Sequence, residues 1–521
     1  MSRAADTGAR GSLETVRPRA RTGRWTRRNF LGFALIGLAP KTQRAIIGGF
    51  ADDGHGPGHA LRDHSQFPSA RRTMKIPVVI VGGGIAGLSA AWRLDKRGFR
   101  DFVLLEMHGQ AGGNARWGEN EITAYPWAAH YVPVPGKTTA LVRELFEELG
   151  VLRNGVWDDR YLCFSPQERL FLHGRWQEGI EPAVGSTARD REDFSRFGDC
   201  IRQFRATGEF TIPMDLGAKP SQLDRLSIAA WLRQERFTSR YLYWYINYAC
   251  RDDYGALAGD TSAWAGIHYF ASRDPEEKGP LTWPEGNGWI SRKLLAKLEH
   301  YVRTGTMAHR IRREGNRLQV SAGDTDYLAD FVIFAAPSFL ASHLSDDAPA
   351  IPNFVYSPWL TANITLDRLP RAQGMETAWD NVIYDSPALG YVVATHQSLR
   401  THEDRSVWTF YWSLAEGPPA ANRRLLLEYD WDWWKAAILA DLERAHPDIR
   451  NCVSRIDILR LGHAMARPVV GFLESQERRN LINSRGNLLF ANADLSGFSI
   501  FEEAQYRGIQ AAERVLARLG R

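Results

Sequence analysis

The sequence predicts an α/β fold in which a short parallel sheet carries helices on its faces. Three stretches predict it: a glycine-rich turn between a strand and a helix at 76–94, a second strand ending in an acid at Glu106, and a C-terminal strand, acid and helix from Asn487. At 521 residues the chain exceeds one ordinary domain, so a second domain is expected to interrupt the first. Hydrophobic residues make up 44% and charged residues 24%, a globular composition that excludes a disordered or fibrous chain.

From the N-terminus, the first feature is charge. The net charge is +5, but residues 1–75 hold 14 basic against 5 acidic residues and the rest holds 51 against 55. A nucleic-acid binder carries its basic patch on the folded part, so no nucleic-acid partner is expected. Within residues 1–45, Thr26-Arg27-Arg28-Asn29-Phe30-Leu31-Gly32 precedes the apolar run Phe33–Ala39. A basic region before a short apolar one is the pattern of an export leader, and the arginine pair resembles a twin-arginine signal. That resemblance implies the twin-arginine export machinery as a partner and a periplasmic or exported location; without a signal the protein would be cytoplasmic. Pro40–Ala45 offers no small-x-small cleavage site, which leaves membrane anchoring by an uncleaved leader open. Residues 46–74, rich in Gly, Asp and His, read as a flexible linker in which His55, His59 and His64 are solvated. Cys163, Cys200, Cys250 and Cys452 form no CxxC pair, so neither a metal site nor a disulfide scaffold is expected.

The β-branched run Ile76–Val81 reads as a buried parallel strand. Gly82-Gly83-Gly84-Ile85-Ala86-Gly87 follows, then a helix that Gly98 ends, then the strand Phe102–Leu105 and Glu106. This is a dinucleotide-binding pattern in its structural context. Gly82 permits the tight turn and Gly84 the approach of backbone to a pyrophosphate. Gly87 permits close helix packing, while Ala86 belongs to the helix start that faces the phosphate charge. Glu106 is placed to accept from a ribose hydroxyl, and its charge disfavours the 2′-phosphate of NADP.

Five residues after Glu106 come Gly112-Gly113, then Asn114-Ala115-Arg116. Here the chain resembles the flavin-containing amine oxidase and phytoene desaturase superfamily, whose members bind FAD. Two further segments carry the resemblance: Pro284–Trp289 with the strands beyond it up to Pro337, and Asn487–Asp494 with the helix to Leu519. By the resemblance, Arg116 stands near the diphosphate, although Asn114 occupies the usual arginine position. It also implies that Met307 places its backbone against the adenine and Asp494 meets the ribityl-phosphate region. Phe501 would offer its amide, at a helix N-terminus, to the flavin pyrimidine. The organisation implied is a discontinuous Rossmann-like FAD-binding domain (75–135, 283–345 and 455–521) with an interleaved α+β substrate domain (136–282 and 346–454).

On the substrate side the reading gives helices at Thr138–Leu149, Ser227–Arg233 and Asp432–Ala445. Strands are expected at Leu360–Leu366, Gly390–Ala394 and Val407–Trp412, and Tyr241–Tyr248 is an aromatic run. Aromatic-rich walls over a flavin suit an apolar or cationic substrate. His130, Tyr411 and His463 are the candidate catalytic residues. Asp252-Asp253 is expected to pair structurally with Arg251. The superfamily's lysine near flavin N5 has no counterpart at Thr361–Leu366, and Ile500 stands where an aromatic cage residue is common. These departures weaken amine oxidation specifically, yet they leave hydride transfer to FAD intact. The expected activity is hydride abstraction from a small organic substrate. The alternatives are a desaturase or isomerase acting on a lipid or polyene, and a non-catalytic FAD-binding partner protein.

Overall fold

A run of valines and isoleucines with no polar interruption belongs where both faces of a strand are covered, and Val78–Val81 is buried throughout. In the computed structural model it is the centre of a five-stranded parallel sheet, ordered Val302–Arg303, Phe102–Leu105, Val78–Val81, Phe331–Phe334, Leu488–Phe490. The structure describes residues 45–521 except 64, 137, 274–278, 350, 352, 372–373 and 400–402. The arginine pair and apolar run read as an export leader lie outside the described residues, as does His64.

Helix Ile85–Lys96 leaves the central strand through the glycine turn and packs against the C-terminal helix Phe501–Arg518. A Cβ on Gly508 would stand 2.0 Å from the Ala86 carbonyl oxygen, so only glycine lets the two helices touch. The strands Ala308–Glu314, Arg317–Ala322 and Thr325–Ala329 form a meander beside this sheet. All three FAD-domain segments of the sequence reading thus contribute strands to this region.

The second layer is an eight-stranded mixed sheet, ordered Ile47–Phe50, Val453–Ala466, Tyr356–Leu366, Ser406–Ser413, Gly390–Val393, Asp380–Ile383, Glu168–Leu172, Arg175–Glu178. Its middle strands are buried along their whole length, which accounts for their aromatic and β-branched sequences. Val453–Ala466 runs in this sheet, although the sequence reading places 455 onward with the nucleotide half. Helices Ala188–Ala206, Ile228–Gln234, Arg240–Tyr254 and Ala263–Ala271 pack around Trp231, Trp264 and Phe237. The aromatic run Tyr241–Tyr248 is therefore helical.

Residues 46–74 are not a linker. Ile47–Phe50 adds a parallel edge strand to the large sheet, His55–Arg62 is a helix, and Arg72–Lys75 pairs with Thr325–Leu328. Buried Asp53 fixes the segment through Arg460 Nε at 2.9 Å. The Gly- and His-rich composition hid this, because its structure comes from partners about 400 residues away in sequence. Among the described residues no helix is long and apolar enough to cross a membrane, and no cluster of three or more His, Cys, Asp or Glu could hold a metal. The four cysteines are free thiols.

Candidate active site

The glycine turn, the Gly112–Ala115 loop and the C-terminal helix start enclose a cavity of about 380 Å³. Gly82, Gly84, Ala86, Glu106, Gly112, Gly113, Met307, Asp494 and Phe501 all line it. Gly87 does not; a Cβ there would meet the Gly82 carbonyl oxygen at 1.9 Å, so this glycine closes the helix onto the turn. The two glycine loops lock together through Gly112 N–H donating to Gly83 O at 2.8 Å. A Cβ on Gly84 would meet only Gly113 Cα, at 3.8 Å, and would otherwise project into open space of the kind a phosphate needs.

Glu106 is buried and organises this loop from below. Oε2 accepts from Gly83 N–H at 2.7 Å and Oε1 from His108 N–H at 2.8 Å. Glu106 also lines the cavity, where the sequence reading expects a ribose hydroxyl. Asp494 is more constrained than expected. Its carboxylate accepts from Ser338 N–H at 2.7 Å, Ser338 Oγ at 2.8 Å and Tyr356 OH at 2.7 Å, while burial pushes its pKa up. The Phe501 ring stacks on Phe146 in the core at 6.0 Å, which leaves its backbone for the cavity. Neither helix that starts on this cavity has a side-chain cap, so both present unsatisfied N–H groups to a bound anion.

Arg116 is corrected by the structure. It does not line the cavity; its Nη1 donates to the Asp52 carbonyl at 3.4 Å, and Nε is buried without a hydrogen-bond partner among the described residues. Burial lowers its pKa, and Glu106, Asp52 and Asp53 oppose that. The N-terminal segment that holds it also supplies Gly58 and Leu61 to the cavity wall, which the sequence reading missed. The one cue available was Leu61 as the lone large apolar residue in a polar stretch.

The three candidate catalytic residues fall in two places. His463 lines the cofactor cavity, stacked on Phe339 at 4.3 Å, and burial beside Arg423 and His59 depresses its pKa to about 4. His130 and Tyr411 meet on a separate wall, ring centroids 5.1 Å apart, with Trp379 5.7 Å from His130. Ala129, which precedes His130 in sequence, lines the cofactor cavity; His130 itself does not. His130 Nδ1 donates to the Ala128 carbonyl at 2.9 Å, so its neutral ring keeps Nε2 as the acceptor, and burial pushes its pKa to about 4.

Behind His130 lies a set of acids. Tyr411 OH donates to Asp380 Oδ1 at 2.7 Å, and burial near Glu168 pushes Asp380 up to about 8. Asp252 and Asp253 do not pair with Arg251, whose guanidinium instead donates to the carbonyls of Ser386, Pro387 and Ala388. Asp253 takes Arg273 at 3.0 Å. Asp252 accepts no hydrogen bond and forms no ion pair among the described residues. It lies within electrostatic reach of Asp380, Tyr131, Tyr248 and Tyr411, and burial, then Asp253 and Asp380, raise its pKa. Sequence adjacency had assigned Asp252 to the wrong partner, and Asp380 gave no signal at all because Tyr411 reaches it across the sheet.

A parallel sheet with a glycine turn and two uncapped helix starts on one cavity is the arrangement that holds the phosphates of a dinucleotide. The profile described as flavin containing amine oxidoreductase matches residues 85–516, and the chain belongs to that family. Its cofactor is FAD. Among solved structures, a putrescine oxidase mutant aligns over 86% of this chain and 100% of its own, with 18% identity and a TM-score of 0.66. A cyclohexylamine oxidase from Brevibacterium oxydans aligns over 86% and 100%, with 16% identity and a TM-score of 0.63. A fatty acid isomerase from P. acnes aligns over 84% and 98%, with 17% identity and a TM-score of 0.60. A Baeyer-Villiger monooxygenase from Penicillium patulum is 46% identical over 111 residues, and that match spans only 21% of this chain and 16% of the relative.

Proposed function

We propose that this protein is an FAD-dependent amine oxidase whose substrate arrives as a cation and, once deprotonated, gives hydride from the carbon beside its nitrogen. The observation that carries the reading is Asp252, an acid without a hydrogen-bond partner among the described residues and within electrostatic reach of Tyr131, Tyr248 and Tyr411. A carboxylate without a partner beside aromatic rings is costly to ionise unless a cation arrives, and aromatic faces favour the same cation. A lipid or polyene would leave that cost in place, so the desaturase and isomerase reading is the weaker one.

In this reading the aromatic rings orient the substrate; the arriving ammonium ionises Asp252, whose own proton leaves to solvent, and then gives the carboxylate one of its protons. A neutral amine is then held with its α-carbon toward the cofactor cavity. FAD, when bound, would supply the electron sink for hydride from that carbon, and the amine would leave as an iminium ion. His130, its pKa pushed down to about 4 by burial, stands beside Tyr411 without adding a positive charge. The first turn of Phe501–Arg518 offers its N–H groups where the cofactor gains negative charge. Export in the folded state, with FAD in place, is the companion proposal from the leader.

The test is anaerobic. Purified protein is mixed with monoamines, diamines, amino acids, unsaturated fatty acids and carotenoids, and flavin absorbance is followed. At least one amine is expected to bleach the flavin while the fatty acids and carotenoids leave it yellow. Bleaching by an uncharged lipid and by no amine would replace the reading.

A further inference from the structure

Part of the cofactor cavity wall comes from outside the nucleotide-binding unit. Residues 47–62 precede that unit in sequence and supply Gly58 and Leu61. Leu61 belongs to the same core cluster as Leu105 and Ala308, which adjoin the lining residues Glu106 and Met307. This is the end of the cavity where the sequence reading expects the adenosine. The segment has little structure of its own to offer: helix His55–Arg62 is eight residues long, contains Gly56, Pro57 and Gly58, and buries only Leu61. Such a helix is marginal in isolation, so its position depends on what pins it.

Two kinds of contact pin it. On one side is the long strand Val453–Ala466. Ile47–Phe50 pairs with Arg455–Ile458, and Ala51 N–H continues the ladder by donating to Ile458 O at 2.8 Å. Two residues further along the same strand, Arg460 covers the Phe50 ring at 3.9 Å and donates from Nε to Asp53 Oδ2 at 2.9 Å. Asp53 Oδ1 accepts from His55 N–H at 3.2 Å, so this one carboxylate ties the strand to the helix start. The pair is enclosed, with side chains 5% exposed for Asp53 and 11% for Arg460. On the other side is the cavity itself. Gly54 is buried with φ +65°, and a Cβ there would overlap the His108 ring, so the segment lies directly on a residue that lines the cofactor cavity.

We infer that residues 47–62 are a strap that closes the FAD site at its adenosine end, latched by Asp53 and Arg460, and that FAD leaves when this strap lifts. A cofactor in the cavity lies against Gly58 and Leu61, so a docked strap slows its departure. By linkage, bound FAD in turn holds the strap down. Asp53 and Arg460 are positioning residues, since neither lines the cavity. The strap acts on the cofactor whichever substrate is oxidised.

FAD-loaded wild type, Asp53→Asn and Gly54→Ala are each diluted, and the rise in free-flavin fluorescence gives the rate of FAD release. Amide hydrogen exchange is read on the same samples for residues 55–62 and for the buried central strand Tyr356–Leu366. Each variant is expected to exchange faster at 55–62, to keep wild-type protection in Tyr356–Leu366, and to release FAD about 10-fold or more faster, as the loss of one enclosed ion pair implies. Release within about twofold of wild type, in a variant whose 55–62 amides have lost protection, overturns the strap. Faster release past amides as protected as in wild type overturns it equally, and unchanged exchange in both variants overturns the latch. Should either variant also lose protection in Tyr356–Leu366, Leu61→Ala, which trims the cavity wall and leaves the pins in place, decides on release alone.

Discussion

Asp380 accepts its hydrogen bond from Tyr411 in a fully enclosed site, with its carboxyl pushed up to about 8 by burial and Glu168. An unfolded aspartate titrates near 3.9, so between about pH 4 and pH 8 the folded state holds a proton that the unfolded state has released. The stabilisation is full below that window and is lost as pH rises through it. Asp380→Asn removes the titration while keeping an acceptor for Tyr411. The thermal midpoint of the wild type is expected to fall more steeply from pH 5 to pH 8 than that of the variant; parallel slopes would show that Asp380 does not titrate there. At this scale legibility followed sequence distance. Glu106 could be read because its strand, turn and acid lie within one short unit. Asp252 and Asp380 could not, since burial and the Tyr411 contact that give them meaning are set by the sheet.

The helix pair Ile85–Lys96 and Phe501–Arg518 sets where both uncapped N-termini point, and Gly508 sets how close that pair lies. Gly508→Ala places a methyl 2.0 Å from the Ala86 carbonyl oxygen, against backbone that has no soft way to yield. Overpacking of this kind costs about 1–3 kcal/mol. Lower thermal stability and weaker FAD retention are expected together, although Gly508 does not line the cavity; normal FAD retention in a destabilised variant would separate the helix contact from cofactor binding. The elements themselves were largely legible. Expected strands at Leu360–Leu366, Gly390–Ala394 and Val407–Trp412 correspond to Tyr356–Leu366, Gly390–Val393 and Ser406–Ser413, because buried strands write long β-branched and aromatic runs. The expected helix Asp432–Ala445 is found at Trp431–Leu442. The segment 46–74 was illegible because an edge strand of Ile-Gly-Gly-Phe has almost no pattern of its own and is specified by Arg455–Ile458 beside it.

For the whole molecule, the described chain begins at the strand that docks on the large sheet and continues into the helix that walls the FAD cavity. The proposed twin-arginine leader, in residues before this segment, would suit a protein whose cofactor is enclosed before transport. Arg27→Lys with Arg28→Lys keeps the leader's charge and loses the recognised pair, and the double variant is expected to accumulate in the cytoplasm with FAD bound. Unchanged export would remove the signal assignment without touching the oxidase reading.

That reading stands most directly on Asp252. Stopped-flow reduction of the flavin by the best amine, without oxygen, yields a limiting rate and an apparent Kd for wild type and Asp252→Asn. The variant is expected to keep its FAD and to bind the amine about 10- to 100-fold more weakly, the cost of removing one charge-assisted contact. An unchanged Kd, in a variant with a full complement of FAD, would contradict the account.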